Sequence, residues 1–244
     1  MENTSLIALS RQGTLRRHLN IIANNLANMN TTGFKAKKMM FVEHLARSEG
    51  GNGIAGQPIS FVRDIATMRD TTAGTLKETG NPLDMAIRGP GYFVVETEDG
   101  ERYTRNGHFR LDEAGQLVAQ GGHPVLSDSG QPFFFSPEDS AIKVAPDGTV
   151  STENGDLGRI RVVRFENDQE LRETAGGLLT SESLPQDVET PDVAQNMLEN
   201  SNVLPILEIA KMIAVERAYS DVKRFITRED ERIRTMMREL NRPV

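Results

Sequence analysis

The sequence contains no cysteine and no tryptophan, and aromatic residues make up only 5% of its 244 residues. Without thiols it can form neither a disulfide framework nor a thiolate metal site, and it offers no cysteine nucleophile. It has no run of about 18 apolar residues, which excludes a membrane-spanning helix. No basic segment leads into a continuous apolar one near the first residue, so we expect no cleaved secretory signal.

The net charge of −7 is distributed unevenly along the chain. Residues 1–45 carry six Lys and Arg against two acids, and residues 198–244 carry nine against eight. The stretch between them carries 13 basic residues against 25 acidic ones. An acidic middle repels its own copies and stays solvated, whereas near-neutral or mildly basic ends are freer to pack.

The first thirty residues show the periodicity of a helix. Apolar residues recur there at alternating spacings of four and three, at Leu15, Leu19, Ile22, Leu26 and Met29. This spacing places them on one narrow stripe, of the width that a partner helix covers. We predict a helix from about Thr4 to Asn28 with Asn3 or Thr4 as its N-cap, ending before a turn at Gly33.

A longer helix is predicted at the other end of the chain, from about Val203 to Leu240. Its apolar positions also alternate by four and three residues, and they are Val215, Tyr219, Val222, Ile226, Ile233, Met236 and Leu240. Only Glu229 is polar in that register. Three further apolar residues form a face offset from this stripe, namely Ile206, Ala210 and Ile213. Ser201 or Asn202 can cap the helix, and Pro205 is tolerated in its first turn.

Between the helices the apolar period changes to two, which is typical of strands. Three turn signals separate the short apolar runs, at Asp99-Gly100, Asn106-Gly107 and Pro146-Asp147-Gly148. Asp-Gly and Asn-Gly favour the type I′ hairpin turn because both residues tolerate positive φ. We therefore predict a central antiparallel all-β domain.

The predicted fold class is α+β, with long N- and C-terminal helices that pair as a coiled-coil-like axial domain around a central antiparallel all-β domain. The expected segments are an N-terminal axial helix and turn (1–45), a linker or extended segment (46–79), the β domain (80–176), a linker (177–200) and a C-terminal axial helix (201–244). Two such long stripes cannot both be covered by a β domain of about 100 residues. We expect them to pair with each other and with neighbouring copies.

Three blocks of the sequence resemble signatures of the bacterial flagellar rod and hook proteins. They are ANNLANMNTTGFK at residues 23–35; GNPLDMAI, GYFVV and YTRNGHF at 80–87, 91–95 and 103–109; and SNV, MI and RAY at 201–203, 212–213 and 217–219. The blocks follow the family's order along the chain. The opening SRQGTLRR at 10–17 and the total length look most like the proximal rod members. The distal rod members are the alternative.

The resemblance implies a structural subunit of the rod, the torque-transmitting shaft that crosses the periplasm in the flagellar basal body. The terminal helices would form the inner tube, with the β domain outside. The implied partners are other copies of the chain, other proximal and distal rod subunits, and the flagellar type III export apparatus, which reads an uncleaved N-terminal region. We expect no cofactor, no metal, no nucleic-acid partner and no membrane insertion.

The resemblance and the two stripes together define an expected assembly interface. It comprises Leu15, Leu19, Ile22, Asn24, Asn25, Leu26, Asn28, Asn30, Gly33, Phe34, Ser201, Asn202, Val203, Val215, Arg217, Tyr219, Val222, Ile226, Ile233, Met236 and Leu240. Its asparagines can fix the register between packed helices because amides both donate and accept. Gly33 is expected to supply positive φ and Phe34 a buried anchor. Replacing Gly33 by Val is expected to hinder assembly more than folding of the β domain.

The alternative from another class is a soluble β-domain enzyme or binding module with accessory helices. The four histidines, His18, His44, His108 and His123, lack the spacing of metal ligands. Arginines of the C-terminal helix alternate with acidic residues, which is typical of a salt-bridged face rather than a nucleic-acid surface. Neither signal favours catalysis, so the sequence favours a structural protein.

Overall fold

The computed structural model describes residues 2–47, 58–137, 139 and 141–240. The chain divides into two compact units. The first, the helical unit, comprises Met1–Ala27, Lys37–Met68 and Leu204–Val244, and the second, the β unit, comprises Asn28–Ala36 and Arg69–Val203. The chain therefore passes from one unit to the other four times.

The helical unit contains the two long helices. Helix α1 runs over Glu2–Ala27 and helix α2 over Pro205–Leu240. With 26 and 36 residues, they span about 39 and 54 Å at 1.5 Å per residue. Strands β1 (Lys37–Arg47) and β2 (Pro58–Arg69) form a two-stranded sheet. Both helices begin and end within two residues of the predicted bounds.

The predicted helix caps are wrong. Asn3 lies inside α1, as does Thr4, because this helix begins at Glu2. Neither Ser201 nor Asn202 caps α2, which begins at Pro205. The Ser201 hydroxyl accepts from the N–H of Val203, and the Asn202 side chain binds backbone groups of residues that are distant in sequence. Helix α2 begins with Pro205 at its first position, where a missing N–H removes no intrahelical hydrogen bond.

The β unit is built from short strands. They are β3 (Leu76–Glu78), β4 (Met85–Ile87), β5 (Tyr92–Thr97), β6 (Gly100–Thr104), β7 (Arg110–Leu111), β8 (Leu117–Val118), β9 (Lys143–Val144), β10 (Thr149–Thr152), β11 (Gly155–Arg159), β12 (Val162–Arg164), β13 (Arg172–Glu173), β14 (Leu179–Thr180), β15 (Gln186–Asp187), β16 (Val193–Gln195) and β17 (Met197–Glu199). The largest sheet has the order β13-β14-β6-β5-β12-β15, and all its pairs are antiparallel.

Strand β5 lies between two apolar cores. Phe93 belongs to the larger core, where its ring meets that of Phe109 edge-on at a centroid distance of 5.1 Å. Tyr92 and Val94 belong to the smaller core on the other side of the strand. A strand that is buried on both faces needs apolar residues at every position, which explains the uninterrupted run from Tyr92 to Val95.

The three turn signals have different outcomes. The Pro146-Asp147-Gly148 turn joins β9 to β10 as predicted, with Val144 paired to Val150. The Asp99-Gly100 signal also marks a hairpin, but Gly100 pairs with Thr97, so the loop residues are Glu98 and Asp99. Asn106-Gly107 forms no hairpin. A Cβ on Gly107 would lie 1.6 Å from the carbonyl oxygen of Met85, so this glycine permits a close backbone approach instead.

Strands lie in the expected linker at 177–200 and also in the expected linker or extended segment at 46–79. Within 177–200, β16 pairs with β4 and β17 pairs with β3. Within 46–79, β2 and β3 account for much of the described part, and residues 48–57 lie outside the described residues. The strands within 177–200 have only two or three residues, which is too short to show a period of two, and only their distant partners define them.

Candidate assembly site

Helices α1 and α2 pack against each other in the helical unit. Positions of α2 that are buried or half-buried recur at alternating steps of four and three residues, at Glu208, Met212, Val215, Tyr219, Val222, Ile226, Glu229 and Ile233. This register coincides with the predicted apolar stripe and extends it towards the start of the helix. On α1, Ile22 is only 1% exposed. Pairing of the coiled-coil type remains a prediction.

Asn25 connects three elements of the helical unit. Its Oδ1 accepts a hydrogen bond from the backbone N–H of Lys37 at the start of β1, at 2.8 Å. Its Nδ2 donates to the carbonyl oxygen of Lys37 at 2.9 Å and to Oε2 of Glu208 on α2 at 3.1 Å. Asn25 is 2% exposed, so this amide is satisfied within the chain.

Glu208 is the charged partner in this polar contact between the helices. It is buried, and its Oε1 accepts a hydrogen bond from Nζ of Lys211 at 2.6 Å. His18 on α1 lies in the same environment. Burial lowers the pKa of His18, the charge of Glu208 opposes that shift, and the charge of Lys211 adds to it. His18 is therefore held in its neutral form near pH 7.

The first turns of α2 and the residue before them also carry exposed apolar side chains, which we call the α2 apolar face. Its members are Leu204, Ile206, Leu207, Ile209 and Ile213. Ile206 is 83% exposed. Two leucines of α1, Leu6 and Leu9, are exposed as well. Adjacent exposed aliphatic side chains of this size usually mark an interaction surface.

In the β unit, the turn that follows α1 is held by Gly33. Its φ is +70°, as predicted, and its N–H donates to the carbonyl oxygen of Glu199 at 2.8 Å. A Cβ at this position would lie 2.5 Å from the carbonyl carbon of Arg105 and 2.6 Å from its oxygen. Only glycine satisfies both the positive φ and the close approach to this backbone.

Four side chains that we call the junction cluster surround this turn: Lys35, Arg105, Glu199 and Asn202. Glu199, only 1% exposed, is the centre of the cluster. Its Oε1 accepts from Nζ of Lys35 at 2.5 Å and from the N–H of Gly74 at 2.9 Å, and its Oε2 accepts from Nε of Arg105 at 2.5 Å. Burial raises the pKa of Glu199, but Arg105, Lys35 and the Gly74 amide outweigh burial and hold this pKa below its usual value.

The two cations of the cluster are also bound to backbone. Arg105 donates from Nη2 to the carbonyl oxygens of Ile87 and Gly89 at 2.8 and 2.7 Å. Lys35 donates to the carbonyl oxygen of Thr72 at 2.9 Å. Burial lowers the pKa of Lys35, and the hydrogen bond that Lys35 donates to Glu199 opposes that shift. The carboxylate thus offsets only part of the desolvation of Lys35.

Asn202 links segments of the β unit at which the chain enters and leaves. Its Oδ1 accepts from the N–H of Ala36 at 2.7 Å. Its Nδ2 donates to the carbonyl oxygens of Asp70 and Thr72 at 2.9 and 3.0 Å. Backbone bonds reinforce this arrangement, since the N–H of Asp70 donates to the carbonyl oxygen of Ala36 at 2.8 Å.

The residues of the expected interface fall into three groups. The chain itself buries four of them, namely Ile22, Asn25, Val203 and Val215. Those that are half-buried are Leu15, Leu19, Leu26, Asn28, Gly33, Phe34, Ser201, Asn202, Tyr219, Val222, Ile226 and Ile233. Those that are exposed are Asn24, Asn30, Arg217, Met236 and Leu240. Phe34 is thus a half-buried side chain and not the buried anchor that was expected.

Four charged residues with central places in the structure were not singled out from the sequence: Lys35, Arg105, Glu199 and Glu208. Lys35 and Arg105 stand in the quoted signature blocks, but nothing local distinguishes them from surface cations. Their common partner Glu199 is 164 and 94 residues away, respectively. Only the tertiary fold brings these groups together.

The described part of the β unit also has a cleft of about 460 Å³, lined by Pro90, Gly91, Arg164, Phe165, Glu166, Asp168 and Gln186. Burial, with a smaller contribution from Asp168, raises the pKa of the nearby Tyr92 hydroxyl, which stays protonated. Among the described residues, no group of three or more His, Cys, Asp or Glu could hold a metal ion. Neither long helix, nor any other described one, is long and apolar enough to cross a membrane.

Comparison with known proteins gives three matching family models. The model "Flagella basal body rod protein" matches residues 6–35, "Flagellar hook protein FlgE/F/G D1 domain" matches 86–152, and "Flagellar basal body rod FlgEFG protein C-terminal" matches 194–239. The matches cover most of α1 and the turn after it, the strands from β5 to β10, and most of α2.

Similar proteins extend over nearly the whole chain. The flagellar basal-body rod protein FlgF of Caulobacter vibrioides is 39% identical, covering 99% of this chain and 99% of the relative. FlgF of Mesorhizobium japonicum is 32% identical over 97% and 98%. The rod protein FlgG of Bacillus subtilis is 32% identical over 91% and 93%. The chain therefore belongs to the family of flagellar basal-body rod proteins, structural components of the bacterial flagellum, and is of the FlgF type.

Proposed function

We propose that this chain is a subunit of the proximal rod and assembles with copies of itself and with other rod subunits through its terminal helices. The rod would then act as a drive shaft, and torque would pass through many parallel helix contacts rather than through one site. Buried apolar area supplies the energy of such contacts, at about 25 cal/mol per Å².

The observation that carries this proposal is the α2 apolar face. Helix α1 packs against α2, and the stripe of α2 that contains Val215 is buried or half-buried, yet Ile206 and its neighbours remain exposed. A helix with one covered stripe and a second, uncovered apolar face can pair within its own chain and still bind another molecule. Exposed Leu6 and Leu9 on α1 are suitable partners for this face in a second copy.

The residues of the expected interface take two roles in this proposal. Buried members such as Ile22 and Asn25 hold the helix pair in shape within one subunit. Exposed and half-buried members, such as Asn30, Met236 and Leu240, contact neighbouring subunits. Before assembly, the subunit is exported by the flagellar type III apparatus without a cleaved signal and takes its place in the part of the rod that crosses the periplasm.

The test is an Ile206→Glu substitution, expressed in cells whose own copy of the gene is deleted. A charge on the apolar face should abolish incorporation into purified basal bodies and abolish swimming, while the far-UV circular dichroism of the isolated protein stays unchanged. Leu184→Glu is the matched control because Leu184 is 89% exposed and belongs to the β unit. Normal swimming of the Ile206→Glu cells would contradict the proposal.

A distal rod position is the second candidate, because identity to Bacillus subtilis FlgG is similar to that to Mesorhizobium japonicum FlgF. An epitope tag on the chain, located by electron microscopy of isolated rods, separates the two. Label near the inner-membrane end supports the proximal position, and label near the outer end supports the distal one.

A further inference from the structure

We propose that the junction cluster is a positioning site that fixes the points at which the chain enters and leaves the β unit, so that these points move as one body under load. The inference rests on the proposed function, since the load in question is the torque of a rotating rod. The site consists of Lys35, Arg105, Glu199 and Asn202.

The first argument is where the chain crosses between units. The crossings follow Ala27, Ala36, Met68 and Val203. Asn202 is one residue from the last crossing, and its side chain binds Ala36 and Asp70, which lie within two residues of two others. One amide thus ties three of the four crossing points together.

The second argument is how Glu199 connects these three points to the turn that follows α1 and to the body of the β unit. Its backbone carbonyl accepts from Gly33, in the turn that follows α1. Its carboxylate accepts from Lys35 in the same segment, and from Arg105. Arg105 in turn binds carbonyl oxygens around β4 and β5, beside the larger core. Three of the four crossing points are therefore hydrogen-bonded to each other, and Glu199 and Arg105 connect them to the turn after α1 and to the sheet.

The third argument comes from the family matches. The three models match separate parts of the chain, and each part contributes one charged residue of the cluster: Lys35, Arg105 and Glu199. A buried ion pair adds little stability over apolar residues of the same size, because desolvating the charges costs about as much as they regain. Its directional hydrogen bonds instead define a single geometry, which is what a point of force transmission requires.

The test compares Glu199→Gln with Glu101→Gln in the full-length protein. Gln keeps the size of Glu199 but places an amide NH₂ or a neutral oxygen opposite two buried cations. Glu101 also binds an arginine, Arg161 at 2.8 Å, but at an exposed position of the β unit. The readout is hydrogen exchange of individual amides.

For Glu199→Gln we expect the amides of Gly33, Ala36, Asp70 and Gly74 to exchange faster by roughly ten- to a hundred-fold, the effect of losing charge-assisted bonds. Amides of core strand β5 should keep their protection. Glu101→Gln should change neither set. Unchanged exchange at the four junction amides would refute the positioning role, and equal loss throughout the β unit would show a general stabiliser instead.

If Glu199→Gln does not fold, Lys35→Met serves as the second variant, because it leaves Arg105 paired with Glu199. Unchanged exchange at the junction amides, or equal loss of protection throughout the β unit, would again refute the positioning role. A variant with faster exchange at the junction amides should still be incorporated into the rod normally. Cells that carry it should swim more slowly in viscous medium than the Glu101→Gln strain. Failure of the wild-type gene to restore rods would reject the proposed function, whereas the exchange result tests the positioning site independently.

Discussion

Replacement of Gly33 by Val should destabilise the β unit for two separable reasons. The native φ of +70° costs a residue with a side chain about 1–2 kcal/mol in backbone energy. The new Cβ would also lie 2.5 Å from the backbone of Arg105, whose side chain is bound to Glu199. Overpacking of this kind costs about 1–3 kcal/mol. We expect a total loss of about 2–5 kcal/mol.

Gly80 offers a control that isolates the backbone contribution. Its φ is +74°, nearly the value at Gly33, but a Cβ there would meet nothing within 4 Å. Gly80→Val should therefore cost only the backbone energy. The difference between the two variants measures the close approach of Gly33 to Arg105.

The assay is denaturant unfolding followed by near-UV circular dichroism. The chain has three tyrosines and no tryptophan, and Tyr92 and Tyr103 both lie in the smaller core of the β unit. Equal unfolding midpoints for Gly33→Val and Gly80→Val would refute the packing of Gly33 against Arg105. The expected loss of folding also differs from the expectation drawn from the sequence, which placed the main effect of Gly33→Val on assembly.

Two further predictions concern the helical unit. Asn25→Leu should raise hydrogen exchange of the Lys37 amide roughly ten- to a hundred-fold, because the Lys37 N–H loses the Asn25 oxygen that accepts from it. Asn24→Leu, at an exposed position of the same helix, is the control. Equal exchange of the Lys37 amide in the two variants would contradict the prediction. Because the folded-state pKa of His18 is lowered, mainly by burial, its neutral form contributes stability above the unfolded value of about 6.5, and this contribution is lost as the pH falls. Wild type should therefore lose more helix protection than His18→Gln between pH 7.5 and 5.5, and parallel losses would exclude His18 as the cause.

The helices could be predicted from the sequence because their signal is local. A stripe with alternating steps of four and three is complete within the helix itself, so Val215, Tyr219 and Val222 reveal the buried side of α2 without knowledge of its partner. The predicted caps of α2 are wrong because a polar side chain near a helix end can bind other backbone groups than those of the helix. Asn202 has the right chemistry for an N-cap, but distant backbone groups of Ala36 and Asp70 bind it instead.

The junction cluster could not be predicted from the sequence because its members, too, find their partners in distant parts of the chain. A lysine in a polar turn and an arginine after a strand each have the appearance of solvated residues until the chain places a carboxylate between them. Asn106-Gly107 shows the limit of local signals most clearly. The same kind of dipeptide that indicates a hairpin elsewhere serves here to bring two backbones together, because Met85 passes directly beside Gly107.

The two units differ in net charge. The segments of the β unit hold 12 Lys and Arg against 24 acids, and those of the helical unit hold 16 against 11. Copies of a unit with a charge of −12 repel each other when brought side by side, so contacts between sister β units are opposed by electrostatics. The helical unit carries less charge and holds the α2 apolar face. In the proposed assembly, the energy that holds copies together is therefore expected to come from the helices, and the proposed role of the junction cluster is to fix the points at which the chain enters and leaves the β unit.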